Sequence, residues 1–144
     1  MIFALDANII SFLLRKDRNP QIVARFKAEI EEFGNSYVIP PLSYYEVAWY
    51  LIRKKANAQL RAFNGLYEGS LAKLNMNESE FMKATEIRAD LETRGLPLGN
   101  SDADIFIAAH CIIHGYTLVT DNLRDFRNID GLNVVNWQAG KDRL

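Results

Sequence analysis

The sequence contains a single cysteine, only two histidines and no long hydrophobic segment. The lone Cys111 excludes a disulfide within the chain and is typical of a reducing compartment. No apolar run approaches the ~20 residues of a membrane-spanning helix, and the N-terminus lacks the basic region of a signal peptide. We therefore expect a cytoplasmic protein that does not enter a membrane.

An excess of charge of one sign is also missing. The 17 basic and 18 acidic residues give a formal net charge of −1. This balance argues against a protein that coats nucleic acid with a global basic surface, but it allows an enzyme with a local basic rim around an acidic site. The 144 residues, 49% of them apolar, fit one globular domain over residues 1–144.

Short apolar runs alternate with longer segments of helical periodicity. The strands are predicted at 2–5, 37–39, 116–120 and 132–135, with a weakly alternating fifth at 71–76. The helices are predicted at about 9–14, 20–33, 42–57, 58–69, 78–94, 101–114 and 121–127. Helical connections of this length suit parallel strands, so the pattern predicts an α/β fold, a three-layer α/β/α sandwich around a mostly parallel sheet of about five strands.

Acidic residues from four segments are predicted to reach one edge of this sheet. Asp6 directly follows the first strand, and Asp121 follows the strand at 116–120. Glu46 lies in the first turns of the helix after the second strand, and Asp104 lies at the start of another helix. Because sites in open parallel sheets form beyond the carboxyl ends of the strands, these four carboxylates are candidates for a common site.

Helix capping is the ordinary explanation for an acid at a helix start. Both Ser43-Tyr-Tyr-Glu46 and Ser101-Asp-Ala-Asp104 fit the capping-box pattern. However, nine of the eleven residues from 42 to 52 are apolar, which predicts a largely buried helix around Glu46. No lysine or arginine is evidently placed to pair with Glu46 or Asp104, and buried acids without cations repel one another. A divalent cation resolves the repulsion, and all-oxygen ligands favour Mg²⁺ or Mn²⁺.

Asp102 and Asp104 stand two residues apart, which corresponds to about 200° of rotation on a helix. The two side chains therefore cannot face the same point. Asp104 shares a face with the apolar residues that follow it, so it is predicted to point inward. Asp102 is predicted to stay near solvent, where it interacts favourably with the helix dipole.

The motifs taken in order resemble the PIN domain and, within it, the VapC-type toxin ribonucleases of toxin–antitoxin pairs. They are Leu5-Asp6-Ala7-Asn8, Pro41-Leu-Ser-Tyr-Tyr-Glu46, Asp104-Ile-Phe-Ile-Ala-Ala109, Leu118-Val-Thr-Asp-Asn-Leu-Arg-Asp-Phe126 and Gly131-Leu-Asn-Val-Val-Asn-Trp137. The resemblance implies that Asp6, Glu46 and Asp104 are the three core catalytic acids and metal ligands. Many members read Thr-Asn-Asp or Thr-Asn-Asn where this chain reads Thr-Asp-Asn, so the fourth acid is Asp121 or, alternatively, Asp125.

The same resemblance implies an endoribonuclease that hydrolyses RNA phosphodiesters with a water activated by Mg²⁺ or Mn²⁺, leaving a 5′-phosphate and a 3′-hydroxyl. Transfer RNA and ribosomal RNA are both substrates in such families, a cognate antitoxin is the expected partner, and a homodimer is the expected assembly. Four polar residues are candidates for supporting roles at the site: Asn8, Ser11, Thr120 and Asn122. The alternative is that they only cap helices. The candidate phosphate-binding cations are Arg15, Lys16, Arg18, Arg53, Lys54, Lys55 and Arg124. The alternative is that these residues are ordinary solvated charges at helix ends.

Two further patterns have more ordinary explanations. His110 and His114 have the i, i+4 spacing of a zinc helix, but the glutamate of that motif is absent and no third ligand is evident in the sequence. Tyr44, Tyr45, Trp49 and Tyr50 suit stacking on bases, yet their helical spacing favours a core or a dimer face.

Two rival functions remain open at the level of sequence. An α/β phosphatase with an aspartate nucleophile would need a second acid two residues after Asp6, where this chain has Asn8. A catalytically silent binding module on the same fold predicts that metals do not bind and that Asp104→Asn is harmless.

Overall fold

The computed structural model of the chain describes residues 1–15, 17, 19–96 and 101–138. Four strands form one parallel sheet in the order β2-β1-β3-β4: β1 (Ile2–Leu5), β2 (Ser36–Val38), β3 (Thr117–Val119) and β4 (Asn133–Val135). The helices are α1 (Ala7–Leu14), α2 (Pro20–Lys27, continued by a π-helical turn over Ala28–Glu32), α3 (Pro41–Arg53), α4 (Asn57–Glu68), α5 (Glu78–Thr93), α6 (Asp102–His114) and α7 (Leu123–Phe126).

Helices cover both faces of the sheet. Phe3 and Leu5 of β1 pack into one core with buried residues of α1 to α4, because side chains at alternate positions of a strand share a face. Ala4 points the other way and packs with α5 and α6. The predicted three-layer α/β/α sandwich is confirmed, and each layer of helices buries its own apolar core against the sheet.

The predicted strand at 71–76 is wrong, and the described sheet has four strands rather than five. The chain makes only brief contact with the edge of the sheet there, through Leu71 N–H, which donates to Tyr37 O at 2.8 Å. Leu71 and Leu74 remain 59% and 43% exposed. Lys73 turns back and donates to the last carbonyl groups of α4. The segment therefore packs over the C-terminal end of α4. Its weak alternation of apolar and polar residues does not correspond to a buried strand face.

The N-terminus of α3 also differs from the sequence expectation. The helix begins at Pro41, with Pro40 preceding it, so Ser43 already lies inside the first turn. Its hydroxyl is buried without a hydrogen-bond partner and does not cap the helix. The predicted capping box of Ser43 and Glu46 is therefore wrong, and capping no longer explains why an acid stands at position 46.

Helix α6 has the predicted ends. Ser101 is its N-cap, with Oγ accepting from Asp104 N–H at 3.3 Å. Gly115, at φ 72°, ends it in the left-handed conformation that glycine adopts without steric cost. Six residues of the helix are buried, and the helix shares an apolar core with α5 and with Leu118 of β3. Within the described ranges, no helix has both the length and the hydrophobicity that crossing a membrane requires.

Candidate active site

The parallel pairing of β1 with β3 brings Asp6 and Thr120 together at the carboxyl edge of the sheet. Leu5 pairs with Val119, and Asp6 N–H donates to Val119 O at 3.0 Å just beyond the last pair. Thr120 Oγ1 donates to Asp6 Oδ2 at 2.8 Å, and Ala7 N–H donates to Oδ1 at 2.8 Å. Both carboxylate oxygens of Asp6 are therefore oriented, and the residue also caps α1.

Asp6 is only 7% exposed. Burial raises its pKa to about 6, against the lowering effect of the bonds from Thr120 and Ala7 and with a further increase from the charges of Asp104 and Asp121. None of these influences on the pKa of Asp6 comes from a positively charged group. Asp6 is therefore held in one orientation in an environment that penalises its negative charge.

Glu46 reaches the same edge from the second turn of α3. Its Oε1 is buried and has no hydrogen-bond partner. Burial raises its pKa, and the charges of Asp6 and Asp104 raise it further. An unpartnered buried carboxylate oxygen costs free energy, so Oε1 of Glu46 is a candidate ligand for a cation.

The two aspartates at the start of α6 face different surroundings. Burial raises the pKa of Asp104, hydrogen bonds from Ser101 lower it, and the charge of Asp125 raises it. Asp102 is exposed and forms an ion pair with Arg88, with Nη1 and Oδ1 2.8 Å apart. The pairing with Arg88 on α5 was not predicted from the sequence, because the two residues belong to different helices.

Asp121 and Asp125 both lie at the border of this group. Asn8 Nδ2 donates to Asp121 Oδ1 at 3.2 Å, and Asn122 Nδ2 donates to Asp125 Oδ2 at 2.5 Å. Asn122 N–H also donates to Thr120 Oγ1 at 3.1 Å, which fixes the loop after β3. The charge of Asp121 raises the pKa of Asp6, whereas the charge of Asp125 raises the pKa of Asp104.

The donor set fits a hard divalent cation. Among the described residues, no lysine or arginine forms an ion pair with Asp6, Glu46, Asp104 or Asp121. Three of the four have pKa values raised by burial, and Glu46 offers a free oxygen. Oxygen ligands without sulfur or imidazole are those that Mg²⁺ and Mn²⁺ prefer.

The carboxylates are spaced rather than tightly clustered. Within the described part of the chain, no three of these acids have ligand oxygens that all lie within 4.8 Å of one another. This spacing suits Mg²⁺, which keeps several of its waters and is bound directly by one or two carboxylates.

A groove of about 940 Å³ opens beside Glu46, between α1, α3 and α4. Asn8 and Ser11 line it, together with Tyr45, Trp49 and Tyr50. These three aromatic side chains are 62%, 52% and 42% exposed. The expectation that α3 is largely buried is therefore wrong, as is the core alternative for these three side chains, while the dimer-face alternative stays a prediction.

Tyr44 is the exception, since it packs against Phe63 with ring centroids 5.2 Å apart. The groove contains two of the predicted cations, Arg15 and Lys54. Arg53 lies over the Trp49 ring at 5.1 Å, next to the groove. Lys55 and Arg124 are exposed but do not line it. Lys16 and Arg18 lie outside the described residues.

Sequence reasoning missed a second group of ligand atoms. Glu80 of α5 lies beside His110 and His114 of α6, and their ligand atoms all lie within 4.8 Å of one another. The statement that no third ligand accompanies the two histidines is therefore wrong. The only local signal was Asn77-x-x-Glu80, which indicates a capping box, and that capping box is present.

Comparison with known proteins agrees with the fold and the motifs. Residues 3–132 match the PIN domain family. The chain is 27% identical to the ribonuclease VapC2 of Rickettsia felis, over 95% of this chain and 98% of that protein. It is 28% identical to the tRNA(fMet)-specific endonuclease VapC of Shigella flexneri, over 94% of this chain and 97% of the relative.

A solved structure supports the same relationship. The crystal structure of VapBC2 from Rickettsia felis, bound to a DNA fragment from its promoter, superposes with a TM-score of 0.78 at 26% identity, and the match covers 96% of this chain and all of that chain. The resemblance to VapC-type ribonucleases inferred from the motifs is thereby confirmed. The chain belongs to the PIN-domain family, as the order and spacing of its acidic motifs predicted.

Proposed function

We propose that this protein is a Mg²⁺- or Mn²⁺-dependent endoribonuclease that acts as the toxin of a type II toxin–antitoxin pair. The observation that carries the proposal is the buried, unpartnered Oε1 of Glu46, in a group of acids whose charges raise one another's pKa values. Such an arrangement is costly for the fold alone and is relieved by a bound cation.

Asp6, Glu46, Asp104 and Asp121 would hold the cation. When bound, a divalent ion supplies a Lewis acid that activates water and neutralises charge on the scissile phosphate. Thr120 and the Ala7 amide hold both oxygens of Asp6 in place. Cleavage by in-line attack of water leaves a 5′-phosphate and a 3′-hydroxyl. Asp125 is the alternative to Asp121 as the fourth acid.

The groove beside Glu46 is the proposed path of the RNA strand. Its exposed aromatic side chains can stack on bases, and stacking of this kind is tolerant of sequence. Arg15 and Lys54 line the same groove and can neutralise phosphates. Glu46, Asn8 and Ser11 line the groove, and Asn8 also donates to Asp121, so the groove adjoins the proposed metal site.

The partners follow from the same relatives. A VapC relative is named as a tRNA(fMet)-specific endonuclease, which makes transfer RNA the first substrate to test and ribosomal RNA the second. A structural neighbour is a VapBC2 complex, so a VapB-like antitoxin is the proposed protein partner. We further propose that residues 1–144 form a single nuclease domain, that it assembles as a homodimer, and that it acts in the cytoplasm.

The test of metal-dependent cleavage compares substitutions of two aspartates that lie on the same turn of α6. Purified wild-type protein, Asp104→Asn and Asp102→Asn are incubated with transfer RNA and with ribosomal RNA, in Mg²⁺, in Mn²⁺ and in excess chelator. We expect cleavage by the wild type and Asp102→Asn only when metal is present. We expect Asp104→Asn to reduce cleavage activity by more than ~100-fold. Removal of a residue that only hydrogen-bonds to a metal ligand already reduces activity by ~10- to 100-fold.

Cleavage that persists in excess chelator, or that survives Asp104→Asn, would contradict the metal mechanism. Folded wild-type protein that binds RNA but neither binds metal nor cleaves either substrate would instead favour a silent binding module. Growth arrest on induction, repeated with the same two variants, tests toxicity separately from cleavage in solution.

A further inference from the structure

A second ligand group lies on the opposite side of the sheet from the groove, between α5 and α6. Glu80 is fully buried, His110 is buried, and the side chain of His114 is 33% exposed. The imidazole rings of His110 and His114 have centroids 4.6 Å apart. His110 is six residues beyond Asp104, about 9 Å along the helix axis, so this group is distinct from the acidic site.

Three local features direct these side chains to one point. His110 and His114 are four residues apart on α6, which places them on one helix face. Glu80 is the third residue of α5, and its Oε2 accepts from Asn77 N–H at 2.8 Å in the capping box. This bond turns Oε1 toward both imidazoles. His110 Nδ1 is hydrogen-bonded to Oε1, and His114 Nε2 lies 3.6 Å from it.

The spacing approaches that of ligands on one small cation. Two ligands at 2.0–2.1 Å from a tetrahedral zinc ion lie about 3.3 Å apart. The distance of 3.6 Å between His114 Nε2 and Glu80 Oε1 is close to this value, and all three ligand atoms lie within 4.8 Å of one another. Binding of one ion by all three donors requires the hydrogen bond between His110 Nδ1 and Glu80 Oε1 to open to this spacing.

The chemistry of the donors selects the class of metal. Two imidazoles and one carboxylate suit Zn²⁺, whereas Mg²⁺ prefers oxygen ligands alone. Within the described part of the chain, Glu80 lies beside the two histidines and forms no ion pair with a lysine or arginine. A wholly buried carboxylate without a lysine or arginine partner is stabilised by a cation beside Oε1, the oxygen that faces both imidazoles.

We propose that Glu80, His110 and His114 form a Zn²⁺ site that joins α5 to α6. His114 is partly exposed, so solvent reaches the ion and a water completes the four ligands. The ion ties the start of α5 to the end of α6, and α6 carries Asp104 at its other end. The site stabilises the helix pair behind the acidic edge and takes no part in RNA cleavage.

The experiment measures Zn²⁺ affinity by competition with a chromophoric chelator, using tag-free protein, since these two histidines are the only ones in the chain. The proteins compared are wild type, His114→Ala, Glu80→Gln and Asp104→Asn. His114 is the primary target because it is partly exposed and its replacement leaves the core intact. Circular dichroism checks folding, and visible absorption after Co²⁺ substitution reports the geometry.

We expect one Zn²⁺ per chain, a tetrahedral Co²⁺ spectrum, and a rise in the thermal midpoint on zinc addition. His114→Ala and Glu80→Gln should weaken binding at least ~10-fold, while Asp104→Asn should leave it unchanged. Absence of zinc binding by the folded wild type would overturn the proposal and leave a hydrogen-bonded Glu80–His110 pair. Unchanged affinity in His114→Ala, or loss of affinity in Asp104→Asn, would also overturn it, since the zinc would then bind elsewhere.

Discussion

Replacement of Asp6 by asparagine should stabilise the metal-free protein at neutral pH, although it removes a proposed metal ligand. Asparagine has nearly the same shape and is an equally good N-cap, so the bond from Ala7 N–H is retained. Its amide can donate to Thr120 Oγ1, whose hydroxyl rotates to accept. The substitution therefore removes the buried charge with little change in packing.

The magnitude follows from the pKa of Asp6, which burial raises from its ordinary 3.8 to about 6. Since one pKa unit corresponds to about 1.4 kcal/mol, the ionised carboxylate lowers the free energy of unfolding by about 3 kcal/mol above pH 6. Between pH 3.8 and 6 the folded protein holds more protons at Asp6 than the unfolded chain does. The free energy of unfolding of the wild type therefore falls as the pH rises through this window.

Urea unfolding in excess chelator, from pH 3.5 to 8, measures this difference. The two proteins should be about equally stable below pH 4, and Asp6→Asn should be about 3 kcal/mol more stable above pH 7. Asp102→Asn is the matched control, because Asp102 is exposed and paired with Arg88. Addition of Mg²⁺ or Mn²⁺ at pH 7 should raise the stability of the wild type and have little effect on Asp6→Asn.

A pH-independent difference between wild type and Asp6→Asn would refute the reasoning, because it would mean that Asp6 titrates with an ordinary pKa. Lower stability of Asp6→Asn at pH 7 in chelator would refute it as well. The first result would show that the hydrogen bonds to Asp6 offset the cost of burying its charge, and the second that they outweigh it.

Three other changes test separate parts of the site. Thr120→Val removes the donor to Asp6 Oδ2, so it should raise the pKa of Asp6 further and weaken metal-dependent cleavage about 10- to 100-fold, measured as a pH–rate profile. Lys54→Ala should weaken RNA binding and reduce the salt slope by about one, measured by filter binding against Lys83→Ala, which lies outside the groove. Ile107→Ala leaves a cavity in the fully buried part of α6, so it should cost about 2–5 kcal/mol of unfolding free energy in urea.

The sequence alone determined the arrangement of layers and the identity of the acids at the sheet edge. Strand and helix periods report which face of each element is buried, and parallel strands deliver their carboxyl ends to one edge. The different surroundings of Asp102 and Asp104 also followed from local geometry, because helix rotation is fixed by residue spacing.

The tertiary structure decided which elements meet. The start of α3 at Pro41 removed the capping explanation for Glu46, and its packing left Oε1 without a partner. The spacing of the aromatic residues of α3 favoured a core or a dimer face, yet Tyr45, Trp49 and Tyr50 line a groove because no described element covers them. Helical periodicity shows that side chains share a face, but it does not show what lies opposite that face.

Glu80 and His110 show the same limit at a longer range. They stand 30 residues apart, and each has a sufficient local explanation, one in a capping box and the other within a buried helix. Their contact depends on how α5 packs against α6, which is set by the apolar residues of both helices. The sequence therefore determined which residues are available for chemistry at each element, and only the packing of the elements decided which of them share a site.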